Sequence, residues 1–403
     1  MTVIENTLIE EFAPIRLTLD RIGPFQYRLE EFDFTDTEDE PCNLFLMVSK
    51  NGRGKTTVLE ILVAMMNMLG QTELNEFGFE DLDHGSGRAQ WDIRVKLNRG
   101  GRKETVLLSL LAGRLGEDTA LRVWGESDLK HIGASVWQRG GFRRLASGRM
   151  EAIGISSEWI KDFTALIGYG IGERQQIFEG DPLTYPTLLY FSAYRDIIPV
   201  RDMERSITTP KGWGYYPVHN FAVEGRVWNE SLDNLLIWLK WLDDGRFDKA
   251  VKIVNQRVFH GSSTYLKGVR KDPPEAVIVT EDHEHRLDRL SSGEKSLVQI
   301  FLRIGAHMTR NTLLLIDEVD VHLHTQWRYR LFYDLKKLAK DYYPGLTIII
   351  TSHAYEIMKA FSLELVEENL RKGGHIIETP EEEERAERIV AEARSIDNGE
   401  SEK

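Results

Sequence analysis

Along residues 15–34 apolar and polar positions alternate, IRLTLDRI and then YRLEEFDF, with Gly23-Pro24 between them, which predicts two antiparallel strands joined by a turn. The next apolar run breaks that rhythm. Cys42 to Val48 (CNLFLMV) is almost continuously apolar, as a strand buried on both faces should be, and it runs into a Gly-rich turn. Beyond the turn, TTVLEILVAMMNMLG carries apolar side chains on most sides of a helix that stops at Gly70, so this helix is expected to be buried. Three strand-like runs, WDIRVKL, ETVLLSLL and ALRVWG, fall within 91–125 and predict a β-rich lobe. The basic, glycine-rich stretch 137–149 (WQRGGFRRLASGR) predicts an exposed loop. From Asn229 to Phe259 the spacing of Leu232, Leu235, Leu236, Leu239 and Leu242 predicts helix, too short for a long coiled-coil arm. Further buried-strand candidates are TLLYFS at 187–192, TLLLID at 312–317 and LTIIIT at 346–351, which with CNLFLMV make a mostly parallel sheet flanked by helices. The tail from Pro380 reads as a short charged helix with a weak apolar stripe at Ile389 and Ala393, a solvated end.

Composition and the chain's opening sharpen this picture in four ways. With 403 residues, 41% hydrophobic and 29% charged, the chain can bury a substantial core. The opening MTVIENTLIEEF lacks the basic-then-apolar pattern of a secretory signal, and no apolar run approaches the roughly 18 residues that span a bilayer, so a cytoplasmic protein with no membrane contact is expected. A single cysteine, Cys42, excludes an internal disulfide, and no Cys/His cluster has zinc spacing. The net charge of −13 means that any nucleic-acid contact must come from a local basic patch. Arg139, Arg143, Arg144 and Arg149, with Trp137 and Phe142 among them, are the candidates for such a patch.

Four short stretches carry chemistry. At the end of the first buried strand stands Ser49-Lys50-Asn51-Gly52-Arg53-Gly54-Lys55-Thr56-Thr57. A phosphate chain needs inward-turned backbone N–H groups, a lysine at the β/γ-phosphates and a hydroxyl on Mg²⁺, and Asn51, Gly52, Gly54, Lys55, Thr56 and Thr57 supply them. Ser49 replaces the usual first glycine of that pattern, which removes no phosphate donor. The second stretch, Leu290-Ser291-Ser292-Gly293-Glu294-Lys295, has capping-box spacing between Ser291 and Glu294 and opens an apolar helix, leaving free N–H groups that suit an anion. By itself this is also what an ordinary helix start looks like. In the third, an aliphatic strand delivers two adjacent carboxylates, Asp317 and Glu318, which is costly unless a cation or a reaction uses them. Asp317 would hold Mg²⁺ and Glu318 would orient or deprotonate an attacking water. His322 and His324 follow without a further ligand at metal spacing, so packing or a dimer contact is the expectation for them. The fourth, Thr351-Ser352-His353, places an imidazole at a strand tip within reach of a γ-phosphate bound at the first loop.

In this order SKNGRGKTT, LSSGEKS, LLLIDE and TSH resemble the Walker A, signature, Walker B and switch-histidine elements of ABC-type ATPases. IRLTLDRIGPF and LSSGEK resemble the RecF and SMC branch, and DEVDVHLH with TSHAYEIM resembles the prokaryotic ATPases related to the OLD family, among which are the ATPase subunits of Septu-, retron- and PARIS-type anti-phage systems. The resemblance covers roughly residues 15–70 and 287–360. Thr325 stands where relatives usually have proline, and the best Q-loop candidate is Ala193-Tyr194-Arg195-Asp196, ahead of Gln175 and Gln176.

The resemblance implies an α/β P-loop NTPase of ABC type, with an N-terminal antiparallel β-lobe and a helical insertion. Residues 1–403 would form a single ATPase domain. Its parts would be strands, Walker A and β-lobe over 15–125, an inserted loop and helical region over 126–285, the three later motifs over 286–360 and a charged tail over 380–403. ATP and Mg²⁺ are the implied cofactors, and a homodimer or higher homo-oligomer joined through ATP is the implied assembly, with Ser291, Ser292, Gly293 and Glu294 of one copy facing the nucleotide of the other. No Toprim or HNH nuclease segment is recognisable after residue 360, so any effector, nuclease or toxin, would be a separate protein. A RecF-like DNA-maintenance ATPase is the alternative, and a transporter ATPase subunit a third reading. Family analogy alone does not choose among them.

Overall fold

A strand with no polar face has to be covered on both sides, and the central sheet shows this residue by residue. The computed structural model describes residues 7–116, 120–172, 183–200, 205–363 and 367–377. The central sheet has six strands, all parallel, in the order Lys372–Ile376, Leu44–Val48, Leu346–Ser352, Asn311–Ile316, Pro186–Ile197 and Val218–Glu224. Phe45, Met47, Leu313, Leu315 and Ile349 enter one core, while their neighbours Leu44, Leu46, Leu314, Ile316, Ile348 and Ile350 enter another. The second core is closed by the helices Leu232–Leu242, Ser292–His307 and Thr325–Asp341.

The first core is closed by a second sheet. Its six strands run in the order Glu30–Asp33, Thr7–Asp20, Arg88–Arg99, Arg102–Gly113, Val136–Arg144 and Met150–Ile153, antiparallel except where Arg102–Gly113 pairs in parallel with Val136–Arg144. Between the sheets lies the helix Lys55–Met66, and its Val58, Leu59, Ile61, Leu62, Met65 and Met66 share a core with Trp91, Ile93 and Leu108. Sandwiching accounts for apolar residues on most sides of this helix, each buried side chain contributing about 1.5–3 kcal/mol. Cys42 sits just before the Leu44–Val48 strand, buried and unpaired, with Gly373 of the edge strand so close that a Cβ there would come within 2.6 Å of its sulfur. Burial raises the pKa of that thiol, and the carboxylates of Asp36 and Asp33 add to the effect.

Three expectations from the sequence need correction. ALRVWG is not a strand: its Arg122 N–H donates to Gln90 Oε1 at 3.0 Å, and the Trp124 indole is buried beneath the guanidinium groups of Arg122 and Arg16, 4.8 and 5.9 Å from the ring centre. One buried ring anchors this stretch in place of a hydrogen-bond ladder. The stretch 137–149 is not a loop but most of a hairpin added to the antiparallel sheet, with Phe142 buried on the core side. Residues 126–285 are likewise more than loops and helices, because they contribute strands to both large sheets and form a small antiparallel sheet of Thr264–Lys271, Pro274–Thr280 and His283–His285. There the Ala276–Val279 run is buried against the helix Leu232–Leu242, with Ala276 N–H donating to Asp233 Oδ1 at 2.6 Å. The 229–259 stretch is helical as expected, broken into Leu232–Leu242 and Arg246–Arg257 by Asp243 and Gly245 in left-handed conformations. The charged tail and Gln175 and Gln176 lie outside the described residues.

The Ser292–His307 helix is tied to the edge strand Val218–Glu224 by a buried polar cluster. Glu224 accepts from Gln299 Nε2 at 2.8 Å and from Arg303 Nε and Nη2 at 3.0 and 2.7 Å. Beside it, the rings of His219 and His307 lie 4.3 Å apart, both buried, and neither nitrogen of His307 has a hydrogen-bond partner among the described residues. Burial, with Arg303 nearby, lowers the pKa of His219 to about 3, and burial lowers that of His307 too, helped by His219 and Arg303. Because the folded values lie below the unfolded value near 6.5, the unfolded chain binds protons first as the pH falls. Stability is therefore complete above about pH 6.5 and is lost progressively below it, by about 2 kcal/mol for His219 between pH 7 and 5, with a loss of the same sign from His307. Thermal melts across this range should show a smaller drop in Tm for His307→Phe than for the parent chain.

Candidate functional site

The Leu44–Val48 strand delivers its following loop to the carboxyl edge of the parallel sheet, where open α/β sheets present ligand sites. Gly54 adopts φ 101°, and a Cβ there would lie 2.7 Å from Pro24 and Phe25, so only glycine fits under the 22–25 turn. Gly52, at φ 78°, faces open space, and Asn51 beside it is exposed. Thr57 packs beneath Gly23 on the lobe side of the helix start. Lys55 is buried and folded back on its own loop, donating to Ser49 O at 2.9 Å, Ser49 Oγ at 3.2 Å and Lys50 O at 3.3 Å. Ser49 thus uses its hydroxyl to receive the ammonium. Burial lowers the Lys55 pKa, opposed by the carboxylates of Glu318, Asp317 and Asp320.

Those carboxylates arrive on the turn after the Asn311–Ile316 strand. Asp317 is buried and accepts from Thr56 Oγ1 at 2.7 Å and Thr351 Oγ1 at 2.6 Å, while Thr351 Oγ1 also accepts from Glu318 N–H at 2.7 Å. Glu318 sits at φ 43°, a left-handed conformation uncommon outside glycine, with its side chain half-buried. Buried Asp320 accepts from Ser352 Oγ at 2.5 Å, and its other oxygen lies 4.0 Å from Nε2 of His353, whose imidazole is 48% exposed. Lys55, Thr56, Asp317, Glu318 and His353 therefore share one sheet edge. The adjacent Thr56 hydroxyl and Asp317 carboxylate are the hard oxygen donors that Mg²⁺ takes, and burial, with the Asp317 charge adding to it, raises the pKa of Glu60.

The second motif is not part of this group. Ser291 caps the Ser292–His307 helix, its hydroxyl accepting from Glu294 N–H while Glu294 Oε2 accepts from Ser291 N–H at 2.9 Å. Ser291 and Ser292 are exposed, and Gly293 is pressed against the turn after Glu318, where a Cβ would lie 2.9 Å from His322 O. Behind the helix start, buried Arg195 reaches Ser296 Oγ, and Lys295 Nζ donates to Asp196 Oδ1 at 2.9 Å. The sequence pointed to Thr351 and Arg195 only as members of motifs, and to Asp320 only as part of a run. Their present roles depend on segments brought together by folding. Thr351, which follows the three isoleucines 348–350 at the carboxyl end of its strand, was the local signal.

Elsewhere the structure narrows the options. Arg143 pairs with Glu151, and Arg144 donates to Leu82 O and Gly85 O. Half-buried Trp137 donates from Nε1 to Ser109 Oγ at 2.7 Å and carries the Arg139 guanidinium 5.1 Å from its ring centre, Phe142 is buried, and only Arg139 and Arg149 of the four arginines are exposed. His322 and His324 are exposed, and among the described residues no group of three or more His, Cys, Asp or Glu could hold a metal ion. No described helix is long and apolar enough to cross a membrane.

Residues 218–359 match the family described as "AAA domain, putative AbiEii toxin, Type IV TA system". The Septu protein PtuA of Bacillus thuringiensis is 30% identical over an alignment of 115 residues, the match covering 25% of this chain and 28% of that relative. Among solved structures, the SMC head domain from Thermotoga maritima aligns at 13% identity over 86% of this chain and 92% of its own, with TM-score 0.34. An SMC head bound to the C-winged helix domain of ScpA aligns at 12% identity over 89% and 96%, with TM-score 0.39.

Thr351 is the hinge of the carboxylate turn, and its loss has a defined cost. Thr351→Val should leave Asp317 Oδ1 and Glu318 N–H without their partner and destabilise the chain by about 1–3 kcal/mol, whereas Thr351→Ser should lose little. Urea unfolding of the two variants measures the difference.

Proposed function

We propose that this chain, an SMC-head-like P-loop ATPase distantly related to the Septu protein PtuA, hydrolyses Mg-ATP between two copies of itself and serves as a sensor or scaffold for a separate effector in prokaryotic anti-phage defence. The carrying observation is that the two halves of the chemistry sit apart. Lys55, Thr56, Asp317, Glu318 and His353 gather at one edge, while Ser291 and Ser292, exposed at the start of the Ser292–His307 helix, share none of that group's hydrogen bonds among the described residues. A nucleotide held by the first group leaves its γ-phosphate exposed, and the helix start of a second copy, head to tail, would satisfy both.

In this reading Asn51, Gly52, Gly54 and Thr57 turn backbone N–H groups toward the phosphates, and Lys55 leaves the Ser49 and Lys50 carbonyls for the β/γ-phosphate oxygens. Thr56 and Asp317 would hold Mg²⁺, which when bound supplies charge neutralisation on the phosphates. Glu318 takes a proton from water as the water oxygen bonds to the γ-phosphorus and the bond to the ADP oxygen breaks. His353, oriented toward Asp320, donates to the γ-phosphate. Ser292 and Gly293 of the partner subunit complete the anion cradle, with Ser291 and Glu294 fixing that helix start. ATP would then join two copies and hydrolysis would release them.

Glu318→Gln should bind ATP, lower turnover about 100-fold or more and trap a dimer visible by size-exclusion chromatography with ATP, whereas Lys55→Ala should abolish binding. Mixing Lys55→Ala with Ser292→Arg protein leaves one intact composite site per mixed dimer, so partial ATPase activity should return. Two inactive proteins that form heterodimers yet stay inactive would refute the shared site. The effector assignment expects the pure chain to leave plasmid DNA and tRNA intact with Mg²⁺ and ATP. Cleavage that follows its chromatographic peak counts against it. The RecF-like alternative keeps exposed Arg139 and Arg149 as support, and it predicts salt-sensitive DNA binding that weakens when both become alanine.

A further inference from the structure

Beyond Phe191 the Pro186–Ile197 strand slips register against Val218–Glu224, and the ladder resumes only at Asp196. Such bulges re-aim side chains next to functional sites. Here Tyr194 is turned out, 82% exposed, and Arg195 is turned in, 3% exposed. Among the described residues the Arg195 guanidinium is hydrogen-bonded to no carboxylate. Nη1 donates to Ser192 O and Asp317 O, both at 2.6 Å, Nη2 to Glu318 O at 3.1 Å and Nε to Ser296 Oγ at 2.9 Å. Burial lowers its pKa to about 10, against the field of Asp317, Tyr190, Asp320 and Glu318. A buried cation paired only with neutral oxygens is costly, which makes a purely structural role a poor account of it.

The placement of those four bonds is informative. Glu318 is held in its left-handed conformation from both ends, its N–H by Thr351 Oγ1 and its carbonyl, with that of Asp317, by Arg195. The same planar fork touches the Ser292–His307 helix at Ser296, and the next residue, Asp196, grips Lys295 of that helix. Lysine could not span these points, because it offers a single charged nitrogen where arginine offers a rigid fork of five N–H donors. We infer that Arg195 is a positioning residue that couples the seating of the Ser292–His307 helix start on a neighbouring copy's phosphate to the backbone orientation of Glu318. This rests on the two-copy ATPase reading and adds to it a path between the half of the site that a protomer offers its neighbour and the half it uses itself.

A double-mutant cycle tests the path in the full chain. Ser296→Ala should lower kcat about tenfold and Arg195→Lys about 100-fold, each with ATP Kd changed less than about threefold, and the double variant should be no slower than Arg195→Lys alone. Losses that multiply, or that fall on ATP binding instead of turnover, overturn the inference. Amide hydrogen exchange at residues 317–319 is a second readout that needs only the mild variant. With Mg-ATP present it should be faster in Ser296→Ala than in the parent, and unchanged exchange overturns the coupling. If Glu318→Gln hydrolyses ATP as fast as the parent, the function reading itself fails. Inactive Glu318→Gln combined with multiplicative losses removes only the coupling. Should the chain alone turn over no ATP, the cycle is read on ATP-driven self-association of the Glu318→Gln chain, where multiplying losses again overturn it.

Discussion

Asp317 follows four buried aliphatic residues, Leu313 to Ile316, at the end of the Asn311–Ile316 strand, and a carboxylate so placed must find donors from other parts of the chain. It finds two hydroxyls, Thr56 from 261 positions away and Thr351 from 34 positions away. Each belongs to a different segment at the same sheet edge. Satisfying one buried carboxylate therefore fixes the phosphate-loop helix, the carboxylate turn and the tip of the neighbouring strand relative to one another. The other polar groups are placed from that junction. Thr351 passes the constraint to the Glu318 amide, and Asp320 passes it to Ser352 and the His353 tip.

The antiparallel lobe bears on the same junction from above. Gly23 rests on Thr57, and Pro24 and Phe25 close over Gly54, so the phosphate loop is bounded by a turn from a different sheet. Below the loop, the Lys55–Met66 helix has no solvent face large enough to let it move without disturbing both sheets. Close-packed interiors transmit such displacement instead of absorbing it.

Much of this was readable in advance, for identifiable reasons. Four strands of the parallel sheet appear in the sequence as mostly apolar runs, CNLFLMV, TLLYFS, TLLLID and LTIIIT, whereas the equally buried Arg88–Arg99 strand hides behind its Gln90, Asp92 and Arg94. The capping box at Ser291 and Glu294 needs only four consecutive residues and was likewise legible. Local reasoning failed where a neighbour decided the outcome. The arginines and glycines of 137–144 look like loop, yet Arg143 and Arg144 have partners on other elements and the backbone completes a sheet. Trp124 looks like strand, yet two cations hold it in place of a ladder. Arg195 could be named as a loop residue, but its four acceptors lie on three separate segments that no spacing rule connects.

The buried thiol of Cys42 has a practical corollary. It is the chain's single cysteine, enclosed beneath the edge strand, and its raised pKa keeps it in the unreactive protonated form. A maleimide or spin label should pass it by, so a cysteine introduced on the exposed rim of the site would carry the only probe in each molecule without any background substitution. Two such molecules brought together would then report a single label-to-label distance, giving the geometry of association directly from spectroscopy.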